Sequence, residues 1–505
     1  MKFFTKKIYI ILFLLSILLI EPKVFAKDSK IQYTSENISN YFLGVISANK
    51  HHNNEAFQHL KKVKSLKNVH PKFNIEFIRV LVLLEKFDEA FSFSESVWSE
   101  DELLFEADLL LGINSFIQED YKRAEKYFNR LNKISLTNLF HKDFIGNVML
   151  AWNSTSQNNK EMTFKILDRI PAPYFHLKKT QDALLRCYFD DQKTQESFKE
   201  LINDKDYNFS RYNFFFANYL LHENKLEEAN TVIENSRKEH NSNLLLKQTN
   251  NYFLSKKSEK IKNFFNCKNK NDSLAEFFYI MANLYSNERD FNKSNFYLKI
   301  SSFLNNKFKA NNALLAENYY FLNKNELSKK TYKSLKEIGS SYSWYASKSI
   351  SKILLASRGK KYSIRNLEKA FNALSNPNFE KHYELANFYK DNEYYKESIK
   401  HYSLALEMIK KDHHLTHKIL DRRGTSYERV GDWNNAEKDL KQSLEILPDQ
   451  AHVLNYLAYT WVDKGINIDR ALKMLKKATE LKKNDGYIID SLGWAYYAKK
   501  NYTKA

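Results

Sequence analysis

Between Leu420 and Pro448 the chain reads LDRRGTSYERVGDWNNAEKDLKQSLEILP, and this stretch allows very few folds. Leu420, Gly424 and Tyr427 stand at i, i+4 and i+7, which puts them on one face of a first helix. Gly431 and Asp432 interrupt the pattern with a turn pair. Trp433, Ala436, Leu440 and Leu444 then form the apolar stripe of a second helix, which Pro448 ends. Gly424 and Ala436, twelve residues apart, are placed to sit where the two helices cross, because small residues there permit a closer approach than usual.

The same pair of small residues returns along the chain. Gly44 goes with Ala56, Ile78 with Ala90, Gly112 with Ala124, and Ala217 with Ala229. Further on, Ala282 goes with Ser294, Ala316 with Ser328, Ser351 with Ser363, and Ala386 with Ser398. After Gly424 and Ala436 come Ala458 with Ala471, one residue longer, and Gly493 with Ala505. Weaker units fit near Gly146, Leu185 and Asn250. A fixed step of about 34 residues means that each helix pair stacks on the next. With only ten glycines and six prolines in 505 residues, there is little turn material for a sheet-rich fold.

The order Leu420, Gly424, Tyr427, Ala436, Leu440, Pro448 resembles the tetratricopeptide repeat, although Arg423 and Ser443 replace its usual Leu and Ala. That resemblance implies an all-α chain: a right-handed α-solenoid of about fourteen helix-turn-helix repeats, the last incomplete. It divides the chain into a targeting segment at 1–26, repeats at 27–140, degenerate repeats at 141–270, and repeats closest to consensus at 271–505. The run from Leu454 to Ala505, with WVDKGIN and DGYIIDSLGWAYY, is similar to a subgroup of bacterial exported repeat proteins. Several of these are envelope proteins, and some bring substrates to a periplasmic protease. The resemblance therefore implies an adaptor for an envelope protease or cell-wall enzymes.

At the N-terminus Lys2, Lys6 and Lys7 precede an apolar run from Ile8 to Ile20, followed by Val24-Phe25-Ala26. This is the pattern of a secretory signal peptide, and the run is short for a membrane span of about twenty residues. The expected location is the periplasm or the outer-membrane surface of a Gram-negative bacterium. The formal charge is +19, and removing the four lysines and one glutamate of residues 1–26 leaves +16. A basic surface suits peripheral contact with anionic envelope surfaces. Nucleic acid is not expected as a partner, since the charge is dispersed and the chain exported. Cys187 and Cys267 lie about two repeats apart and are expected to remain free thiols.

No phosphate-binding glycine loop, nucleophile elbow or paired CxxC is present, so neither a catalytic group nor a cofactor is expected. His413 and His417 have the i, i+4 spacing of metal ligands, but no Glu follows the first, and an exposed linker between repeats is the better reading. His51-His52 reads as the turn within the first repeat. In the resembling family the helix-A stripe beside the packing stripe lines the concave surface. Here that stripe holds Tyr383, Asn387, Asn455, Tyr459, Asp490 and Trp494, residue types suited to gripping a protein or peptide. The chain stops at Ala505, where the last helix B should open, and the expectation is a truncated product. On the alternative reading these repeats are the superhelical part of an envelope enzyme whose catalytic domain lies beyond residue 505.

Overall fold

The protein is described by a computed structural model covering residues 33–134, 142–240 and 242–505; residues 1–26, expected from sequence to be a signal segment, lie outside the described residues. Every regular element among these residues is helical. The helices run in antiparallel pairs: α1 Ser35–Asn49 with α2 Asn53–Lys62, α3 Pro71–Leu83 with α4 Phe87–Val97, and α5 Phe105–Ile117 with α6 Tyr121–Leu131. Next come α7 Ile145–Ser156 with α8 Lys160–Leu167, α9 Phe175–Tyr188 with α10 Thr194–Ile202, α11 Tyr212–His222 with α12 Leu226–Glu239, and α13 Leu244–Leu254 with α14 Glu259–Lys262. Then α15 Lys270–Asn287 pairs with α16 Phe291–Leu304, α17 Asn312–Phe321 with α18 Asn325–Leu335, and α19 Ser340–Arg358 with α20 Lys360–Asn372. The series ends with α21 Phe379–Asp391 and α22 Tyr395–Glu407, α23 Thr416–Arg429 and α24 Trp433–Ile446, α25 Ala451–Asp463 and α26 Ile468–Leu481, and the single helix α27 Gly486–Ala498. This is an all-α solenoid of about fourteen repeats.

Small residues set the crossing of each pair. A Cβ added to Gly112 would stand 2.3 Å from the Phe128 ring, and one on Gly44 would stand 2.6 Å from Leu60. At Gly424 the nearest atoms are looser, Leu440 Cγ at 3.1 Å and the Ala436 carbonyl oxygen at 3.2 Å. Where helix B carries serine, the hydroxyl can donate across the crossing: Ser328 to the Ala316 carbonyl at 2.9 Å and Ser363 to the Ser351 carbonyl at 2.7 Å. Serine thus substitutes for alanine without leaving a buried donor unmet.

Each helix A ends on a residue in the left-handed region. Gly359, Gly431 and Gly465 fill three of these turns, but His51, Glu85, Glu119, Asn158, Asp190, Asn224, Lys256, Arg289, Asn323, Glu393 and Lys500 fill the others. The next amide closes back onto helix A, as from Lys86 to Leu81 and Asp432 to Tyr427, each at 2.9 Å. Counting seven residues back from these turns places the crossing residues of the weakest repeats at Ala151, Ala183 and Thr249, all buried. The positions expected from sequence, Gly146, Leu185 and Asn250, lie five, two and one positions away in the same helices.

Contacts divide the chain into two compact units. One comprises residues up to Thr194 with Lys270–Tyr285 and Asn292–Leu304; the other comprises Gln195–Asn269, Ser286–Phe291 and Asn305–Ala505. In the first unit, turns of the early repeats dock on α15 and α16. His51 meets Asn292, Glu85 pairs with Lys299, and Glu119 pairs with Lys270 at 3.1 Å. The Phe87 and Phe303 rings stack at 4.1 Å. These turn side chains explain why three left-handed positions are not glycine. In the second unit Arg211 donates to Asn311 at 2.7 Å, and the Ser341 amide donates to Gln248 at 3.0 Å.

The cysteine expectation is corrected. Neither cysteine is free: Cys187 and Cys267 are both disulfide-bonded. Separation along the chain does not bound distance within the first unit, where Glu85 and Lys299 meet although 214 positions separate them.

Candidate partner-binding face

The sequence-predicted stripe lies in the second unit, on α21, α23, α25 and α27. On α21 the Asn387 side-chain oxygen is already occupied. It accepts from the Tyr402 hydroxyl at 2.7 Å and from Arg422 Nη1 at 3.1 Å, so this asparagine ties α21 to α22 and α23. Tyr383 is half-buried, its ring 6.1 Å from that of Tyr402. The sequence reading passed over Arg422. The signal for Arg422 was present, since it stands four residues after Lys418 and beside Asp421, next to the same helix face.

On α23 burial raises the Asp421 carboxyl above its ordinary range, against the opposing pull of His452, Lys390, Arg422 and His417. Its Oδ1 is buried and has no hydrogen-bond partner. On the neighbouring α25 the Asn455 Oδ1 is in the same condition. Burial also lowers Lys390, with Arg422 pushing the same way. Adjacent helices thus each hold an acceptor oxygen that lacks a donor, and such groups cost roughly 1–3 kcal/mol while they stay unsatisfied. Hydrogen-bond donors brought by a partner would relieve that cost.

Past these acceptors the stripe becomes aromatic. Tyr459 is 42% exposed, Trp494 is 42% exposed and Tyr497 is 53% exposed. The Trp494 and Tyr497 rings stack at 5.4 Å, and Asp490 is exposed on the same helix. His413 precedes the start of α23 and His417 lies inside it, so the two do not share a helix face. Instead His413 packs edge-on against Phe379 at 4.9 Å. No group of three or more His, Cys, Asp or Glu side chains suited to a metal ion occurs among the described residues. None of the described helices is long and apolar enough to cross a membrane.

Arg423 and Ser443, which break the repeat consensus, have structural partners. Arg423 forks onto the buried Asp439 with bonds of 2.7 and 2.9 Å, and donates to Ser403 Oγ at 2.9 Å. The Ser443 hydroxyl donates to the His417 carbonyl at 2.8 Å.

Stacked helix pairs with a small-residue crossing and a left-handed A-to-B turn define a helical-repeat scaffold. No family profile matches the chain. Over 79 residues it is 35% identical to a TPR repeat-containing protein of Pseudomonas aeruginosa, a stretch amounting to 16% of this chain and 13% of that relative. The match therefore spans only a small part of the relative's length. Among solved structures, the crystal structure of the APC/C hetero-tetramer Cut9-Hcn1 aligns at a TM-score of 0.34 and 14% identity, over 91% of this chain and 96% of that one. The P58(IPK) TPR domain aligns at 0.26 and 16% identity, over 79% and 99%. Over the 79 residues matched to the Pseudomonas relative, the chain is similar to a tetratricopeptide-repeat protein.

Proposed function

We propose that the protein is a non-catalytic scaffold of the bacterial envelope that holds a protein or peptide along the helix-A stripe of its last repeats. The observation that carries this reading is the pair of buried, unpartnered acceptors, Asp421 Oδ1 on α23 and Asn455 Oδ1 on α25, leading to exposed Tyr459 and Trp494. Backbone amides or basic side chains of an extended partner supply the donors, and the aromatic rings supply contact area at small entropic cost. Export is supported by the lysines before the Ile8–Ile20 run and by the small-residue site ending at Ala26. Disulfide-bonded cysteines suit an oxidising compartment. An envelope protease or a cell-wall enzyme is the partner class that the exported-repeat resemblance favours.

The test is affinity capture from a periplasmic extract, comparing wild type with an Asn455→Ala, Tyr459→Ala, Trp494→Ala triple variant. Asn387 is left intact, because its amide holds α21 to α23. Loss of a discrete set of captured proteins is the expected result. An unchanged set from the folded variant would show that binding occurs elsewhere. N-terminal sequencing of the mature protein checks export separately, with Lys27 expected as the first residue.

A further inference from the structure

Within the second unit a cavity of roughly 360 Å3 opens between α11, α13 and α14 on one side and the segments around residues 307–310 and 337–338 on the other. It falls in the size range of small-molecule sites, about 300–1,000 Å3. Part of its wall is apolar and largely aromatic, with Phe214, Leu245, Tyr252 and Phe308 buried there and Phe264 beside them, while Gln248 and Thr249 add polar atoms. Phe214 and Phe308 stack at 5.2 Å, and Tyr252 is fixed by donating to the Ile338 carbonyl. Gln248, also in the wall, is fixed by accepting from the Ser341 amide. The walls are therefore held in place by bonds that do not involve the cavity.

The mouth has the opposite character. Lys260, Lys307 and Lys309 surround it, all exposed, with Asn263 among them. Lys309 is paired with Glu337 at 2.7 Å, while the Lys260 and Lys307 ammonium groups have no ion-pair partner among the described residues. Glu337 is the only acidic residue lining the cavity, and it is already taken. A partly apolar hollow rimmed by two uncommitted cations is complementary to a molecule with an apolar body and one anionic head.

We propose that this cavity binds a medium-chain fatty carboxylate, its tail among Phe214, Phe264 and Phe308 and its head at Lys260 and Lys307. The site is separate from the helix-A stripe of the last repeats, so occupancy here and partner capture there can be measured independently. The head is attracted through partly screened charge, and binding therefore weakens as salt rises. The tail contributes by leaving water, so affinity increases with each added methylene until the cavity is full.

Calorimetric titration of the full mature chain with decanoate tests this, alongside decanol, inorganic phosphate and a short peptide ending in a phenylalanine carboxylate. Saturable one-to-one binding of decanoate is expected, with decanol at least about tenfold weaker and phosphate undetectable, as loss of a charged hydrogen bond implies. Lys260→Ala with Lys307→Ala is expected to weaken decanoate by about tenfold or more while leaving the melting temperature without ligand unchanged. Absence of saturable decanoate binding, equal affinity for decanol, or full affinity in the double variant overturns the proposal. Tighter binding of the peptide than of decanoate also overturns it, in favour of a peptide terminus. The comparison of decanoate with decanol uses wild-type protein alone and decides the matter even if the double variant does not fold.

Discussion

Replacing Arg423 with leucine, the residue the repeat consensus favours at that position, is expected to destabilise the α23–α24 pair. Arg423 makes two charged hydrogen bonds to Asp439 and a third bond to Ser403. The Asp439 side chain is only 4% exposed, so removing the guanidinium strands a buried carboxylate. Breaking one side of such a pair costs about 3–5 kcal/mol. The new leucine recovers part of this, up to about 1.5–3 kcal/mol if fully buried, leaving a net loss of about 0–3.5 kcal/mol, centred near about 2 kcal/mol. Replacing both partners, Arg423→Leu with Asp439→Ala, removes the stranded charge and is expected to bring stability back to within about 1 kcal/mol of wild type. Helical arrays do not always unfold in one step, so the assay is hydrogen exchange resolved to α23 and α24, run as a double-mutant cycle. If the single leucine variant exchanges as slowly as wild type, or the two substitutions prove additive, the pair does not hold these helices and the reasoning fails.

Three further outcomes are expected. Gly112→Ala should destabilise by roughly 1–2 kcal/mol, since overpacking against the buried Phe128 outweighs the helix-propensity gain of about 1 kcal/mol. Gly424→Ala, with neighbours at 3.1 Å and beyond, should stay within about 0.5 kcal/mol of wild type in urea melts, and equal losses at both sites would contradict the crossing geometry. Lys256→Gly and Arg289→Gly relieve left-handed strain at positions with no ion-pair partner among the described residues and should each stabilise by about 1 kcal/mol, whereas Glu85→Gly should gain less because it loses Lys299. His382 and His401 meet Nδ1 to Nδ1 at 2.9 Å between α21 and α22, and burial pushes His401 down to about 4 and lowers His382 as well. Both stay neutral in the fold while the unfolded chain takes up protons, so stability present above about pH 6.5 is lost as pH falls towards about 4. His401→Phe should flatten that acid slope in melting temperature, and an unchanged slope would place its origin elsewhere.

The repeat was legible because its signal is periodic: Gly44, Gly112 and Gly424 mark crossings that any register error would move. The weakest repeats were harder. Their turns use Asn158, Asp190 and Lys256 where glycine would have announced the helix end, and Thr249 is not an obvious small residue. The stripe was also legible from helical spacing, but the commitments of its side chains were not. Asn387 looked like a peptide-gripping amide, and only the structure shows its oxygen occupied by Tyr402 and Arg422. Arg423 looked like a lapse from consensus because its partner Asp439 sits on the other helix of the pair. That Cys187 and Cys267 are disulfide-bonded is not something helix counting along the chain could show.

The docking of early turns on α15 and α16 also sets an order of events during synthesis. Bringing Glu85 to Lys299 closes a loop of 214 positions, an entropic cost of about 5 kcal/mol that adjacent-repeat stacking never meets. At roughly 5–20 residues per second, a ribosome needs about 10–40 s to go from the first partner to the second. Throughout that interval Glu85 and Glu119 project from finished helix pairs without their lysines, and the Phe87 ring has no Phe303 to cover it. The nascent first repeats therefore keep these side chains uncovered until the eighth pair emerges.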